Sequence, residues 1–382
     1  MTTMQSKPAG AKPAATASDR VFNFSAGPGV LPDEVIRQSQ ADLWNCGSSG
    51  IGIMELSHRG KVVDRIFEEA EADCRKVGSI PANYKVLFMT GGSSAQNFVV
   101  PMNLLPKDRT ADYVVTGYWA QKTFEAAARS GGAWGKVHLA GTSKDTNHSY
   151  IPTQAQLKFS DNPAYLYYCA NNTIYGTEWH YVPQSPNGAP LIVDMCSNIF
   201  SKPIDVTRYG LIHASAQKNL GPAGVTLVIV RDDLVEKGNK DIPDLLQYRT
   251  YPGEISRPNT PPVFAVYVMG LMFKWILKQG GLEAIGRRNQ AKAKILYDVL
   301  DASRFYKAHA RPDSRSQMNV VFRCPTESLD DQFCKDAQKA GLDTLKGHRA
   351  TGGVRASIYN AMPDAGCRAL ADFMREFERT RG

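Results

Sequence analysis

Residues 211–230 constrain the fold of this chain more than any other stretch. Val225-Thr226-Leu227-Val228-Ile229-Val230 is apolar and largely β-branched, the signature of a buried strand. Ahead of it, Leu211-Ile212-His213 leads into Ala214-Ser215-Ala216-Gln217-Lys218-Asn219-Leu220-Gly221-Pro222-Ala223-Gly224, small and flexible residues around one lysine. The pattern predicts a strand-turn-strand unit that holds Lys218 at its edge, away from bulk water. Burial disfavours an ammonium ion, so an amine held there can act as a nucleophile toward a carbonyl. Taken alone, an ordinary surface-turn lysine is the simpler reading of this loop. The company it keeps changes that.

Tyr84–Thr90 reads as a strand, followed by Gly91-Gly92-Ser93-Ser94-Ala95-Gln96-Asn97 and a helix start. Unpaired N–H groups of a first helical turn, with two hydroxyls beside them, form an anion cradle. The turn is neither Gly-x-Gly-x-x-Gly nor a Walker loop, which suggests one phosphate rather than a dinucleotide. A merely capped helix is the alternative. Ala111–Thr116 is a second strand, leading to Gly117-Tyr118-Trp119, where an aromatic can lie flat on a planar ligand or simply join the core. Ala164–Cys169 runs into Asn171-Asn172-Thr173. Pro190–Ser197 carries Asp194 after its last apolar residue, where a carboxylate can start a turn or pair with a cation. Strands separated by helix-sized stretches, with polar residues just past their C-terminal ends, predict an open, mostly parallel α/β sheet with its site at the carboxyl edge.

The flanks suggest three regions. Residues 1–19 are Ala, Pro, Thr, Ser and Lys with little apolar bulk, and are expected to be a disordered tail. Residues 20–280 form the large domain, with the first of them able to pack on the smaller one. Pro32-Asp33-Glu34 opens a helix with its acids at the favourable end, and His58-Arg59 sits on a loop where two donors can grip an anion. Val263–Leu277 is too short to span a bilayer and carries Lys274, so it reads as a buried helix ended by Gly280-Gly281. Residues 281–382 alternate helices with short strands, a smaller C-terminal α+β domain holding Lys346-Gly347-His348-Arg349 and Gly352-Gly353-Val354-Arg355.

The formal charge of +8 is spread without a run of Lys or Arg, so no nucleic-acid arm is read, and it suits anionic ligands. Seven widely spaced cysteines without a Cys-x-x-Cys pair argue for reduced thiols and against a zinc site. The expectation is a cytoplasmic protein with no membrane span. Targeting to an organelle by the tail is left open, though the tail is poor in arginine.

A phosphate cradle, a flat aromatic, a strand-end acid and a buried lysine are together what pyridoxal 5′-phosphate requires. Ser25-x-Gly27-Pro28, Met54-Glu55-x-Ser57-His58-Arg59-Gly60, Gly117-Tyr118-Trp119, Ala216-Gln217-Lys218-Asn219-x-Gly221-Pro222-Ala223-Gly224, Asn259-Thr260-Pro261-Pro262, Lys346-Gly347-His348-Arg349 and Arg355-Ala356-Ser357-Ile358-Tyr359-Asn360-Ala361 resemble the phosphoserine aminotransferase family. That family is of class V, among the fold-type I transferases dependent on this cofactor. The resemblance implies that Lys218 binds the cofactor covalently and then acts as the base. It implies that Asp194 faces the pyridine nitrogen, Trp119 stacks on the ring and Thr173 bonds the ring-hydroxyl region. Ser93, Ser94 and Gln217 hold the cofactor phosphate, with Asn259 and Thr260 reaching it from the second subunit of a homodimer. His58, Arg59, His348 and Arg349 surround the substrate phosphate, and Arg355 takes the α-carboxylate as a bidentate fork. The implied reaction passes the amino group of L-glutamate to 3-phosphohydroxypyruvate.

The chain departs from the family pattern at Ser94, where an arginine is frequent, at Ala26, where a serine is frequent, and at Asn172, where glutamate is usual. Another fold-type I enzyme, of the alanine–glyoxylate or desulfurase kind, is the nearest rival, and a scaffold that has lost catalysis is the rival of another class. Use of phosphohydroxythreonine is left open by the sequence.

Overall fold

Strand-forming runs and apolar helices alternate along the chain, and they assemble as a covered sheet. The computed structural model describes residues 20–382. The expectation for residues 1–19 lies outside the described residues. The main sheet has seven strands: β1 (Tyr84–Met89), β2 (Thr110–Val115), β3 (Lys136–Thr142), β4 (Leu166–Cys169), β5 (Leu191–Asp194), β6 (Leu211–Ser215) and β7 (Thr226–Arg231). Their order is β1-β7-β6-β5-β4-β2-β3. The run from β6 to β3 is parallel, whereas β7 is antiparallel to both β1 and β6. β7 follows β6 through the short lysine loop, too short for a crossover, so it must return antiparallel. The sequence shows no clear mark of β3, whose partly exposed residues lie at the sheet edge.

Alternation within the strands assigns the two faces. Leu227 and Ile229 face a core built with Val63, Phe67, Ala70 and Val77 of α2 (Lys61–Gly78). Val228 and Val230 face the opposite core with Val99 and Val100 of α3 (Gly92–Leu104) and Ala127 of α4 (Tyr118–Ala128). α1 (Asp33–Trp44) opens after Pro32, and α5 (Asp232–Lys237) follows β7. The apolar stretch read as a buried helix is α6 (Val263–Lys278). Its Val266, Met269, Phe273 and Ile276 are buried at helical spacing. Each contributes about 1.5–3 kcal/mol, enough to fix the helix against α2 whatever its polar ends do. No single helix among the described residues is long and apolar enough to cross a membrane. After Gly280 the chain bends by 85° into α7 (Gly281–Ala302).

A second core gathers α7, α8 (Glu327–Lys339), α9 (Asp364–Arg381) and an antiparallel sheet, β8 (Lys307–Ala308), β9 (Asn319–Arg323) and β10 (Val354–Ser357). Phe24 belongs to this core. Phe22 and Asn23 pair in parallel with Leu342 and Asp343, and Phe24 O accepts from Ser357 N at 3.2 Å. The first described residues are thus fastened to the C-terminal unit. The residues just before His58 form turns.

Candidate active site

The carboxyl ends of β4, β5 and β6 and the starts of α3 and α4 meet at one cleft of about 630 Å³ that opens to solvent. Gly92, Ser93, Ser94, Trp119, Thr173, Asp194, Gln217 and Lys218 all line it. The sequence expectation that residues 194 and 218 share a cavity is met. Each arrives by a local cause. Asp194 is the last residue of β5, 7% exposed, and its Oδ1 accepts from Cys196 N at 2.8 Å. Lys218 sits in the loop between β6 and β7. That loop is pinned by buried Asn219, whose amide donates to Ile199 O at 3.2 Å and whose carbonyl accepts from Asn360 N at 3.0 Å. Trp119 lies in the first turn of α4 with 42% of its surface free, so an indole face is available to a ring.

Lys218 Nζ donates to Thr173 Oγ1 at 2.8 Å. Burial alone pushes its pKa down. The Tyr359 hydroxyl, Cys196 and Asp194 offset this, and the net direction is up. This corrects the expectation that burial by itself keeps the amine neutral. Burial pushes the Cys196 thiol up to about 12, which leaves Asp194 as the carboxylate among these neighbours. A cation pairing with Asp194 cancels that attraction and leaves burial to favour the free amine.

One contact differs from expectation. The Ser93 hydroxyl turns inward, 2.7 Å from Cys196 Sγ and 3.1 Å from His213 Nδ1. Of the residues expected to hold the phosphate, that leaves the Ser94 hydroxyl and the Gln217 amide at the cleft, and the Ser93 N–H in the first turn of α3 is given to Ser215 Oγ at 2.6 Å. Ser94, where the family often has arginine, is exposed. Asn172, the other departure on this side, donates to Thr116 Oγ1 at 3.1 Å and Thr177 Oγ1 at 3.0 Å. A Cβ on Gly117 would lie 2.4 Å from its Oδ1, so Asn172 fixes the turn that presents Trp119.

The cations divide into two groups. His348 packs its ring 5.5 Å from Tyr118, beside Trp119, and its pKa is lowered by burial and by Arg355 and Arg349. Burial likewise lowers Arg355, and Tyr359 lies near enough to act on both Arg355 and Lys218. Among the described residues no carboxylate pairs with Arg349 or Arg355, and mutually repelling cations of this kind are the chemistry of an anion site. His58 and Arg59 instead line a separate cleft of about 400 Å³ with Asp64, Glu254 and Arg257. Asn259 and Thr260 are exposed and do not line the Lys218 cleft. Within one chain these four are not brought to Lys218.

Sequence reasoning missed the cover of the lysine. Gly29 N donates to Gln217 O at 2.7 Å, and a Cβ on Gly27 would lie 3.6 Å from Lys218 Cγ. A Cβ on Gly29 would lie 2.7 Å from Tyr359 Cδ2, so only glycine admits this approach. The Tyr359 hydroxyl donates to Ala26 O at 2.7 Å, which gives position 26 a backbone role in place of a side-chain one. The glycines and the tyrosine were visible as turn and motif residues, but nothing in sequence spacing brings residues 27 and 359 together.

The chemistry of the cleft fits pyridoxal phosphate: donors at one end, a buried carboxylate at the other, an amine and a free aromatic face between. The comparisons agree. The profile of the family described as Aminotransferase class-V matches residues 21–370. A phosphoserine aminotransferase of Herpetosiphon aurantiacus is 47% identical over 363 residues, 95% of this chain and 99% of that protein. The solved phosphoserine aminotransferase from Bacillus circulans subsp. alkalophilus is 44% identical with a TM-score of 0.92, covering 96% of this chain and all of that one. The pyridoxal phosphate-bound phosphoserine aminotransferase from Trichomonas vaginalis is 37% identical with a TM-score of 0.89, over 93% of this chain and 100% of that one. An alanine–glyoxylate aminotransferase from Nostoc sp., 15% identical with a TM-score of 0.75 over 98% of this chain and 97% of its own, shares the fold alone. The chain has the fold-type I architecture and belongs to the class-V aminotransferases, within the phosphoserine aminotransferase family.

Proposed function

We propose that this protein transfers the amino group of L-glutamate to 3-phosphohydroxypyruvate, giving O-phospho-L-serine and 2-oxoglutarate. The observation that carries the reading is a single cleft that holds Asp194 together with Lys218, bonded to Thr173. His348, Arg349 and Arg355 do not line that cleft but approach it through Tyr118 and Tyr359, and among the described residues no carboxylate pairs with them. Pyridoxal phosphate supplies an electron-accepting ring that stabilises negative charge on the substrate α-carbon. Asp194 Oδ holds the proton of the ring nitrogen. Lys218 Nζ, aimed by Thr173, would hold the cofactor and move the substrate α-proton. Trp119 covers one ring face and keeps water off it. Ser94, Gln217 and the first turn of α3 hold the cofactor phosphate. Arg355 binds the α-carboxylate. His348 and Arg349 bind the distal anion, phosphate in one half-reaction and the glutamate side-chain carboxylate in the other.

The working unit is a homodimer. His58, Arg59, Asn259 and Thr260 lie outside the Lys218 cleft of their own chain, and two large apolar side chains elsewhere on the surface, Trp44 (87% exposed) and Met54 (71%), suit burial against a second copy. Asn259 and Thr260 then serve the partner's cofactor phosphate, and His58 and Arg59 its substrate phosphate. All seven cysteines are free thiols, which suits a reducing compartment, and the cytoplasm is the proposed location.

Two measurements test this. Borohydride reduction followed by peptide mapping is expected to place the label on Lys218, and label on any other lysine refutes the assignment. A coupled assay for 2-oxoglutarate is expected to favour phosphohydroxypyruvate strongly over hydroxypyruvate. Similar turnover of the two means that the histidines and arginines do not read phosphate.

A further inference from the structure

The anion-binding end of the cleft is short of donors. Lys218 is the one cation among the described residues that line the cleft, and Ser94 brings a hydroxyl without a charge. A phosphate placed there is met by neutral hydrogen-bond donors, so each of them counts. The first two turns of α3 carry four polar side chains, Ser93, Ser94, Gln96 and Asn97. Two are committed elsewhere. The Ser93 hydroxyl lies 2.7 Å from Cys196 Sγ and 3.1 Å from His213 Nδ1. Gln96 is fully buried, and its Oε1 accepts from the Tyr248 hydroxyl at 2.7 Å. Ser94 and Asn97, neighbours on the helix surface, both line the cleft. Asn97 Oδ1 accepts from Thr123 Oγ1 of α4 at 2.7 Å, and the same hydroxyl reaches Trp119 O at 3.0 Å. With its oxygen held in this way, the Asn97 amide keeps both N–H groups, and no acceptor among the described residues takes them.

We propose that Asn97 is a further cofactor-binding residue, whose amide donates to the cofactor phosphate beside Ser94 at the start of α3. The direction of the side chain supports this. Helical side chains lean toward the N-terminus of their helix, so residue 97 covers the turn that holds residues 93 and 94. The Thr123 bond decides which end of the amide faces the cleft. With the oxygen turned to α4, the cleft receives a donor, which suits an anion, where a carbonyl would repel one. Hydrogen bonds to a charged acceptor are stronger than neutral ones, so one added amide matters at a phosphate that no arginine or lysine of this wall reaches. The inference rests on the reading that the cleft holds pyridoxal phosphate with its phosphate at α3.

The test reads binding rather than turnover. The full-length protein, freed of cofactor, is titrated with pyridoxal 5′-phosphate and with pyridoxal, and the absorbance of the bound ligand is followed. Asn97→Ala is expected to weaken pyridoxal 5′-phosphate by about tenfold and to leave the affinity for pyridoxal unchanged. Asn97→Asp, which keeps the shape of the side chain, is expected to weaken the phosphorylated ligand further, because a carboxylate repels it. Alanine is the better helix former at this half-buried position, so the first variant keeps the fold. Unchanged binding of pyridoxal 5′-phosphate in either variant overturns the proposal. So does an equal loss on both ligands, which is the mark of a merely structural role. Ser94→Ala and Gln217→Ala test the reading underneath. If neither alters the preference for the phosphorylated ligand, the phosphate is not at α3 and that reading fails. A loss in those two with none in Asn97→Ala fails Asn97 alone.

Discussion

At the scale of single residues, the arginine proposed to bind the α-carboxylate is the sharpest case. Arg355 is desolvated and has no acid partner among the described residues, which suits its proposed role of binding a carboxylate that both substrates carry. Truncating one partner of a buried charge pair costs about 2–5 kcal/mol. Arg355→Ala is therefore expected to lower kcat/KM by roughly two orders of magnitude for L-glutamate and for phosphohydroxypyruvate alike, read by steady-state kinetics on each. A loss confined to the phosphorylated substrate contradicts the carboxylate role. Lys218, Asp194, Trp119 and Thr173 were legible because each follows a strand end, where an α/β sheet gathers its chemistry. The inward turn of Ser93 was not legible. It depends on Cys196, His213 and Ser215, which reach it from two other strand ends, and a sequence shows no such convergence.

At the scale of elements, two pieces hold the cover over Lys218 in place. One is the segment Ser25–Gly29. In Gly29→Ala the new methyl meets the rigid ring of Tyr359 rather than a movable tip. Overpacking of this sort costs about 1–3 kcal/mol. The expected result is a fall in kcat of on the order of tenfold with only a modest drop in melting temperature, measured side by side. The other piece is α7, where fully buried Lys292 donates to Ile358 O, Tyr359 O and Met362 O at 3.1, 2.7 and 3.1 Å. Burial lowers its pKa to about 8. The native state therefore releases this proton below the unfolded value of about 10.4, and between those limits the unfolded chain binds more protons. Stability owed to Lys292 rises with pH across that window, by up to about 1.4 kcal/mol per unit. Urea unfolding of the wild type and of Lys292→Met at pH 7.5, 9 and 10.5 is expected to show their difference growing with pH. A constant difference refutes the linkage. The strands and α6 were legible as apolar runs with the right period. The antiparallel course of β7 follows from the shortness of the loop before it, and the edge strand β3 escaped notice because Ala140 is the one buried residue in it.

At the scale of the molecule, the proposed division of labour between the chains of a homodimer has a clean consequence. Co-expressed Lys218→Ala and Arg59→Ala subunits associate at random, and half of the dimers are mixed. In a mixed dimer the intact Lys218 receives an intact Arg59 from across the interface, while the other site lacks both. About a quarter of wild-type activity is expected from two inactive parents. No recovery, with dimers confirmed by sedimentation, means that Arg59 works within its own chain. A last consequence concerns the first described residues, whose backbone is stitched beside Leu342 and Asp343 while Gly29 rests on the lysine loop. Such a strap cannot stay put when its two anchors part. Rotation of the C-terminal unit away from the main sheet drags the strap off the amine in the same motion. Were such a rotation to accompany substrate entry, access and the unveiling of the nucleophile would be a single event.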